Sequence, residues 1–353
     1  MKLHNNLIEQ LKKHPIMQPQ DFVKQCYQAA FGAEHLLNNT NRAKQYLQKE
    51  YEIVSPSETI PLYEEISENV CRVNLSAWKR EQLPIDLLFQ LFAQSCTIST
   101  NGKELFLQYL EEATHIIQTE SVAFSIEQWE TFLESYKEAG MPSIHHSEIY
   151  RNQEHPSYRI VKKEWIDLLP ILKKANEIIT TKSHGIITID GRAGAGKTTL
   201  AKKLSHLLNA ELISMDDFFL PIPLRTKERL QSTGGNVHYE RFLEQVIPSL
   251  TTHTPFNYQV FDCSIMDYNK EKSIKNTGWC IVEGSYSHHP MFQQYADITI
   301  FVDIPKELQI KRILQRNGEK MTELFKTKWI PMEEQYFNEF QIKEKSDFII
   351  TSF

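Results

Sequence analysis

Ile186-Ile187-Thr188-Ile189-Asp190-Gly191-Arg192-Ala193-Gly194-Ala195-Gly196-Lys197-Thr198-Thr199 is the stretch on which the reading of the fold turns. Its opening is a short apolar run with β-branched side chains, which suits a buried strand over 186–190. Residues 191–198 then satisfy Gly-x-x-x-x-Gly-Lys-Thr, and the periodic residues from Lys197 to Leu208 predict a helix. Strand, glycine-rich turn and helix in that order form a phosphate cradle. The glycines let the backbone turn tightly and point successive N–H groups inward, while the helix N-terminus adds a favourable field. Lys197 can reach between β- and γ-phosphates and the Thr198 hydroxyl can coordinate Mg²⁺. The expected cofactors are therefore ATP and Mg²⁺, with Gly191, Arg192, Ala193, Gly194, Ala195, Gly196, Lys197, Thr198 and Thr199 around the nucleotide.

Outward from this stretch, strand and helix signals alternate. Leu212 to Ser214, Cys280 to Val282, Ile298 to Val302 and Phe348 to Ile350 have strand length, with helical stretches near Glu307 to Gln315 and Met332 to Phe340. The expected fold is an α/β, P-loop NTPase-type three-layer domain with a parallel sheet covered on both faces, over 184–353. A helix over Lys163 to Ile179, with Pro170 as a kink site, is read as a connection over 161–183. Residues 1–160 read as a mainly helical accessory or ligand-binding domain. Helices are expected from Asp21 to Leu37, Pro84 to Cys96 and Lys103 to Ile117. Another runs over Ile126 to Ala139, with Ser125 and Gln128 as a capping box and Gly140 at its end. From Met141 to Arg159 the periodicity fades, which reads as an ordered loop.

The composition limits the classes open to the chain. Its 353 residues, 41% hydrophobic and 24% charged, suit two globular domains. No apolar run approaches the roughly 20 residues of a bilayer span. The charged helical pattern after Met1 is unlike a secretion segment, so a cytoplasmic protein without membrane partners is expected. Cys26, Cys71, Cys96, Cys263 and Cys280 are odd in number and widely spaced, which argues for reduced thiols rather than a structural zinc site. A net charge of −6 gives no footprint for nucleic acid. Assembly into a homo-oligomer is left open.

What the triphosphate is used for depends on other residues. Asp216 and Asp217 follow the second strand, at the edge where α/β sheets build their sites. A carboxylate there can take the proton of an acceptor hydroxyl during phosphoryl transfer; either acid can instead cap the following segment. Glu283 ends the Cys280 to Val282 strand and can hold Mg²⁺ with Thr198. Arg312 and Arg316 stand i,i+4 on a helix and can neutralise the transferring group, or remain solvated surface charge. His288 and His289 follow closely enough to touch a substrate or to line a loop.

With Gly191 to Thr199, Asp216-Asp217-Phe218-Phe219, Val282-Glu283-Gly284 and Phe301-Val302-Asp303 ahead of Arg312 and Arg316, the segment from Gly185 onward resembles the uridine kinase and phosphoribulokinase superfamily. The resemblance implies transfer of the γ-phosphate of ATP to a hydroxyl of a small, nucleoside- or sugar-like metabolite. It further implies Asp216 and Lys197 as catalytic residues, Arg312 and Arg316 as lid arginines, and Asp217, Phe219, His238, Tyr258, Asp262 and Tyr286 as candidate acceptor contacts. The pattern departs from that family at Asn236-Val237-His238-Tyr239, where His238 replaces an expected Asp. It departs again at Phe261-Asp262-Cys263, which lacks the base-reading His.

In the N-terminal half, His145, His146, Tyr150, Tyr158 and Arg159, with His35, Arg72 and Asn74, have the polar and aromatic character of a small-ligand pocket or of a hydrogen-bonded loop. This leaves a second functional reading: a nucleotide-binding regulator or sensor whose N-terminal domain recognises a ligand or protein.

Overall fold

The structure, a computed structural model, describes residues 2–33, 39–97 and 100–351 and divides into two compact units, Met1–Leu169 and Pro170–Phe353. His35, Leu36 and Leu37 of the expected pocket and helix lie outside the described residues.

In the N-terminal unit the helices Pro19–Phe31, Gly102–Thr119 and Ile126–Glu138 bury Phe22, Cys26, Phe106, Leu110 and Trp129 in one core. The Ser125/Gln128 capping box forms as expected: the Gln128 amide donates to Ser125 Oγ (3.2 Å) and the Ser125 amide to Gln128 Oε1 (2.8 Å). The helix expected to reach Leu37 stops at Phe31, because Gly32 takes φ +58°.

This half is mainly helical, as expected, but it also holds a small sheet. Tyr63–Glu65 (β1), Val70–Asn74 (β2) and Tyr158–Lys162 (β3) form an antiparallel sheet in the order β1-β2-β3. Four of the five residues of β2 are buried, so it lacks the alternation that reveals a half-exposed strand. The expected loop over 141–159 carries a helix, Glu148–Glu154, capped by Ser147 Oγ on the Tyr150 amide, before β3 begins. The expected connecting helix is also divided, into Lys163–Ile166 and Leu169–Thr181, with Pro170 in the first turn of the second, where its missing N–H costs least.

The C-terminal unit is a mixed α/β domain around a five-stranded parallel sheet. Its strands are Gly185–Gly191 (β4), Glu211–Ser214 (β5), Trp279–Glu283 (β8), Ile298–Asp303 (β9) and Phe348–Thr351 (β10), in the order β10-β9-β4-β8-β5. Every residue of β4 and β8 is buried, as a sheet covered on both faces requires. The helix Lys197–Leu208 lays Leu200, Ala201 and Leu204 on the sheet, and Phe242, Leu250, Tyr336 and Phe337 pack with Ile186, Val282 and Phe301 in a second layer of core. Sequence reading missed an antiparallel hairpin, Phe256–Asp262 (β6) with Asp267–Ile274 (β7), which buries Tyr258, Phe261 and Ile274 while most of β7 is exposed and charged or polar. Among the described residues no helix is long and apolar enough to cross a membrane.

Candidate functional site

Parallel strands put their carboxyl ends on one edge, and the residues of interest gather there. The phosphate-binding loop leaves β4, Met215–Phe218 forms a single 3-10 turn after β5, and Glu283 ends β8. The register sets Glu283 opposite both Ile189 and Ser214, bringing the ends of three strands level. A cavity of about 960 Å³ opens over this edge.

The loop needs its glycines for different reasons. Gly191 has φ +133°, and a Cβ there would sit 2.1 Å from the Val302 carbonyl oxygen. Gly196, the residue before the helix, has φ +101° with open space where a side chain would go, so only its conformation demands glycine. The amides at the start of Lys197–Leu208 have no acceptor within the helix and face the loop. Lys197 Nζ donates to the carbonyls of Gly191 (2.6 Å) and Arg192 (3.1 Å) and to Ser285 Oγ (3.3 Å), which holds the ammonium over the loop. The stretch therefore has the free donors and the placed cation that phosphate oxygens require.

Thr198 Oγ1 donates to Glu283, at 3.2 and 3.3 Å from its two oxygens, and Ser214 Oγ lies 3.3 Å from the same carboxylate. Burial raises the Glu283 carboxyl above its ordinary range, as does Asp216, while Lys197 and the two hydroxyls oppose the rise. Burial likewise raises Asp216; Lys197 and Arg316 pull it down and Asp217 pushes it up. The buried Glu283 carboxyl with its two hydroxyl neighbours offers oxygen donors of the kind that suit a hard divalent cation such as Mg²⁺, whose charge would stabilise the ionised form.

Two residues missed in the sequence hold this edge together. Asp190, fully buried, accepts from the amides of Gly191 (2.7 Å), Tyr286 (3.3 Å) and His288 (3.1 Å) and from the Tyr336 hydroxyl (2.9 Å). It ties the start of the phosphate-binding loop to the segment after β8, where Tyr286 adopts φ +74°, uncommon for a residue with a side chain. Glu333 accepts from the Ala193 amide (3.0 Å) and Ser285 Oγ (2.9 Å), and burial raises its carboxyl against the pull of Lys197. For Asp190, the clue in the sequence is an acid ending an apolar strand directly before the first loop glycine; Glu333 has no local signal.

The sequence-predicted residues divide sharply. Lys197, Thr198, Thr199, Asp216, Glu283, Arg312 and Arg316 line the cavity, and so do Phe219 and Tyr286. Arg312 reaches the Gly194 carbonyl (3.4 Å), and Arg316 Nε donates to Asn317 (2.8 Å). Arg192 turns its guanidinium to Asp303 (2.8 Å) and Glu334 and lies over Phe337, leaving only its backbone in the loop. Asp217 accepts from the Tyr258 hydroxyl (2.8 Å), His238 Nδ1 meets the Tyr268 hydroxyl (2.8 Å), and Asp262 is held by Ser264 and Asn269 in the β6–β7 turn. None of these four expected acceptor contacts lines the cavity. Arg225, Met266, Lys328 and Trp329, which no motif marked, do, and so do Asn236 and Cys263 from the two stretches where the family pattern is departed from. His288 and His289 are absent from the lining; the ring of His289 stacks on Tyr239 and Tyr336.

Residues 186–327 match the family model of the cytidylate kinase-like family. The C-terminal unit has a P-loop-kinase-like fold. Two curated relatives are cytidylate kinases. That of Lawsonia intracellularis (strain PHE/MN1-00) is 37% identical over 60 residues, 17% of this chain and 27% of that protein. That of Archaeoglobus fulgidus (strain ATCC 49558) is 26% identical over 140 residues, 38% of this chain and 64% of that protein. The chain thus spans less than two thirds of either relative. Among solved structures, one described as a possible uridine kinase from Bacillus stearothermophilus aligns over 51% of this chain and 99% of that one, at 14% identity and TM-score 0.38. Shikimate kinase from Acinetobacter baumannii, in complex with shikimate, aligns over 50% and 86%, at 17% identity and TM-score 0.27.

Proposed function

We propose that the C-terminal unit is an ATP-dependent phosphotransferase that moves the γ-phosphoryl group to a hydroxyl of a small metabolite of nucleoside or sugar type. One observation carries the reading: the Asp216 carboxylate shares a cavity with the Lys197 ammonium, the phosphate-binding loop, Arg312 and Arg316. A hydrolase needs only to hold and activate water, whereas a carboxylate at a strand end facing open space suits an acceptor hydroxyl.

In this reading the loop amides and Lys197 hold the β- and γ-phosphates, and Thr198 and Glu283 would hold Mg²⁺. When bound, that ion neutralises charge on the phosphate oxygens. Asp216 orients the acceptor hydroxyl and takes its proton as the bond to phosphorus forms. Lys197 and Arg316 favour its ionised form, while burial keeps its basicity up. Arg312 and Arg316 neutralise charge on the transferring group. Phe219 and Tyr286 wall the acceptor space, and Arg225 and Asn236 supply its polar contacts.

The match to the cytidylate kinase-like family favours a second acceptor class, a pyrimidine nucleoside monophosphate taking the phosphoryl group on its own phosphate oxygen. A mass-spectrometric screen of nucleosides, nucleotides, sugars and sugar alcohols with ATP and Mg²⁺ separates the two. A hydroxyl acceptor requires proton removal, so Asp216→Asn should lower kcat about 10²- to 10⁴-fold with ATP affinity nearly unchanged. Nucleotide binding with no phosphorylated product from any member of the screen would sink the phosphotransfer reading and favour the regulator.

A further inference from the structure

We propose that the N-terminal unit contains a binding site for a small organic phosphate monoester, independent of the chemistry assigned to the other unit. The site is a cavity of about 510 Å³ within that unit, the size that encloses a metabolite.

Charge is the first argument. The chain carries a net −6, yet among the described residues the cavity is lined by four cations, Lys24, Arg42, Arg151 and Arg159, against a single carboxylate, Glu50. That carboxylate is already engaged, with Arg159 at 2.8 Å and Ser157 Oγ at 2.9 Å. The guanidinium groups of Arg42 and Arg151 have no hydrogen-bond or ion-pair partner among the described residues. Lys24 Nζ has one acceptor, the Ile144 carbonyl at 3.1 Å. Burial, then Arg72, push its ammonium down to about 8, so the cavity concentrates positive charge against a cost that a bound anion would relieve.

The floor is a fixed polar network. Asp21 accepts from His146 Nδ1 (2.8 Å), which leaves Nε2 to accept from the Tyr158 hydroxyl (2.7 Å). Arg72 packs on the Tyr158 ring and donates to Gln28 (2.8 Å), itself bonded to the Tyr158 hydroxyl (3.1 Å). Burial holds His146 at about 4, so it stays neutral near pH 7 and keeps this direction of donation. Asn74, bonded to the Pro61 carbonyl, takes no part in the lining.

The chemistry of the ligand follows from the donors. Two unpaired guanidinium forks and an ammonium offer more N–H groups than one carboxylate can accept, and a phosphate dianion has three terminal oxygens. Tyr46, Phe92 and Pro156 supply the apolar wall for the organic part.

The test uses the full chain carrying Lys197→Ala, which silences the phosphate-binding loop of the other unit. Inorganic phosphate, ribose 5-phosphate, glucose 6-phosphate and unphosphorylated glucose are titrated calorimetrically. The phosphate esters should bind saturably and glucose should not. Arg42→Gln with Arg151→Gln, both exposed, should weaken the esters at least tenfold while leaving the thermal transition in place, and Lys24→Met should act in the same direction. Esters that fail to bind at millimolar concentration, bind no better than glucose, or ignore the Arg42/Arg151 pair would overturn the proposal.

Discussion

Asp190→Asn is the sharpest probe of how the sheet edge is held. The carboxylate receives four donors on two oxygens: Gly191 and Tyr286 amides on Oδ1, and the His288 amide with the Tyr336 hydroxyl on Oδ2. An Asn keeps one oxygen and turns an NH₂ group toward the other pair. The Tyr336 hydroxyl can rotate and become an acceptor; the His288 N–H cannot. One buried amide is left without a partner, at about 1–3 kcal/mol, and the remaining contacts lose their charge assistance, at about 1 kcal/mol more. The expected cost is about 2–4 kcal/mol, confined to the C-terminal unit, which speeds globally gated amide exchange there roughly 30-fold to roughly 700-fold. Hydrogen exchange with mass-spectrometric readout of segments 185–191 and 279–289 measures it, and segment 102–119 of the other unit serves as the internal control. Tyr336→Phe removes a single hydroxyl donor and should cost about 1.5–3 kcal/mol, coupled non-additively to the Asp190 change. Exchange of 185–191 within threefold of the parent would refute the assignment of Asp190 as the tie between the loop and β8.

Gly191→Ala meets the Val302 carbonyl as well as an unfavourable φ, whereas Gly196→Ala meets only the φ. The first should therefore lower the thermal transition of the C-terminal unit more than the second, whose strain is about 1–2 kcal/mol. Equal effects would show that close approach to β9 is unimportant. In the N-terminal unit, burial raises Asp21, but hydrogen bonds from His146, Gln18 and Ser147 outweigh it and hold the carboxyl below its ordinary value. The stabilisation is then complete above the unfolded carboxylate value near about 4 and is lost as pH falls through the lower folded value. Asp21→Asn should remove that acid-dependent loss, read as urea midpoints from pH 2 to 5. At the phosphate-ester site, Lys24 titrates at about 8, facing Arg72, Arg151 and His146 with Asp21 as the opposing charge. Ester affinity should fall at least threefold as pH rises from 7.5 to 9, where the ligand is already a dianion, and Lys24→Met should flatten the profile.

What the sequence by itself determined is local and periodic. The strand, glycine turn and helix of 186–208, the capping box at Ser125, and the short apolar runs of the parallel sheet depend on neighbours in the chain, and each formed near its expected bounds. Lys197, Thr198, Asp216 and Glu283 were legible because strand ends of a parallel sheet converge whatever lies between them. Tertiary structure alone decided where side chains pointed once they left those ends. Arg192 sits inside the motif, yet Asp303 and Glu334, more than 100 residues away, draw it out of the loop. Glu333 enters the loop from a helix 140 residues distant, and Tyr268 on the hairpin claims His238. The sheet of the N-terminal unit escaped notice for a related reason: a strand buried along nearly its whole length carries no alternation, so its partner in the sheet, Tyr158–Lys162, could be found only by packing.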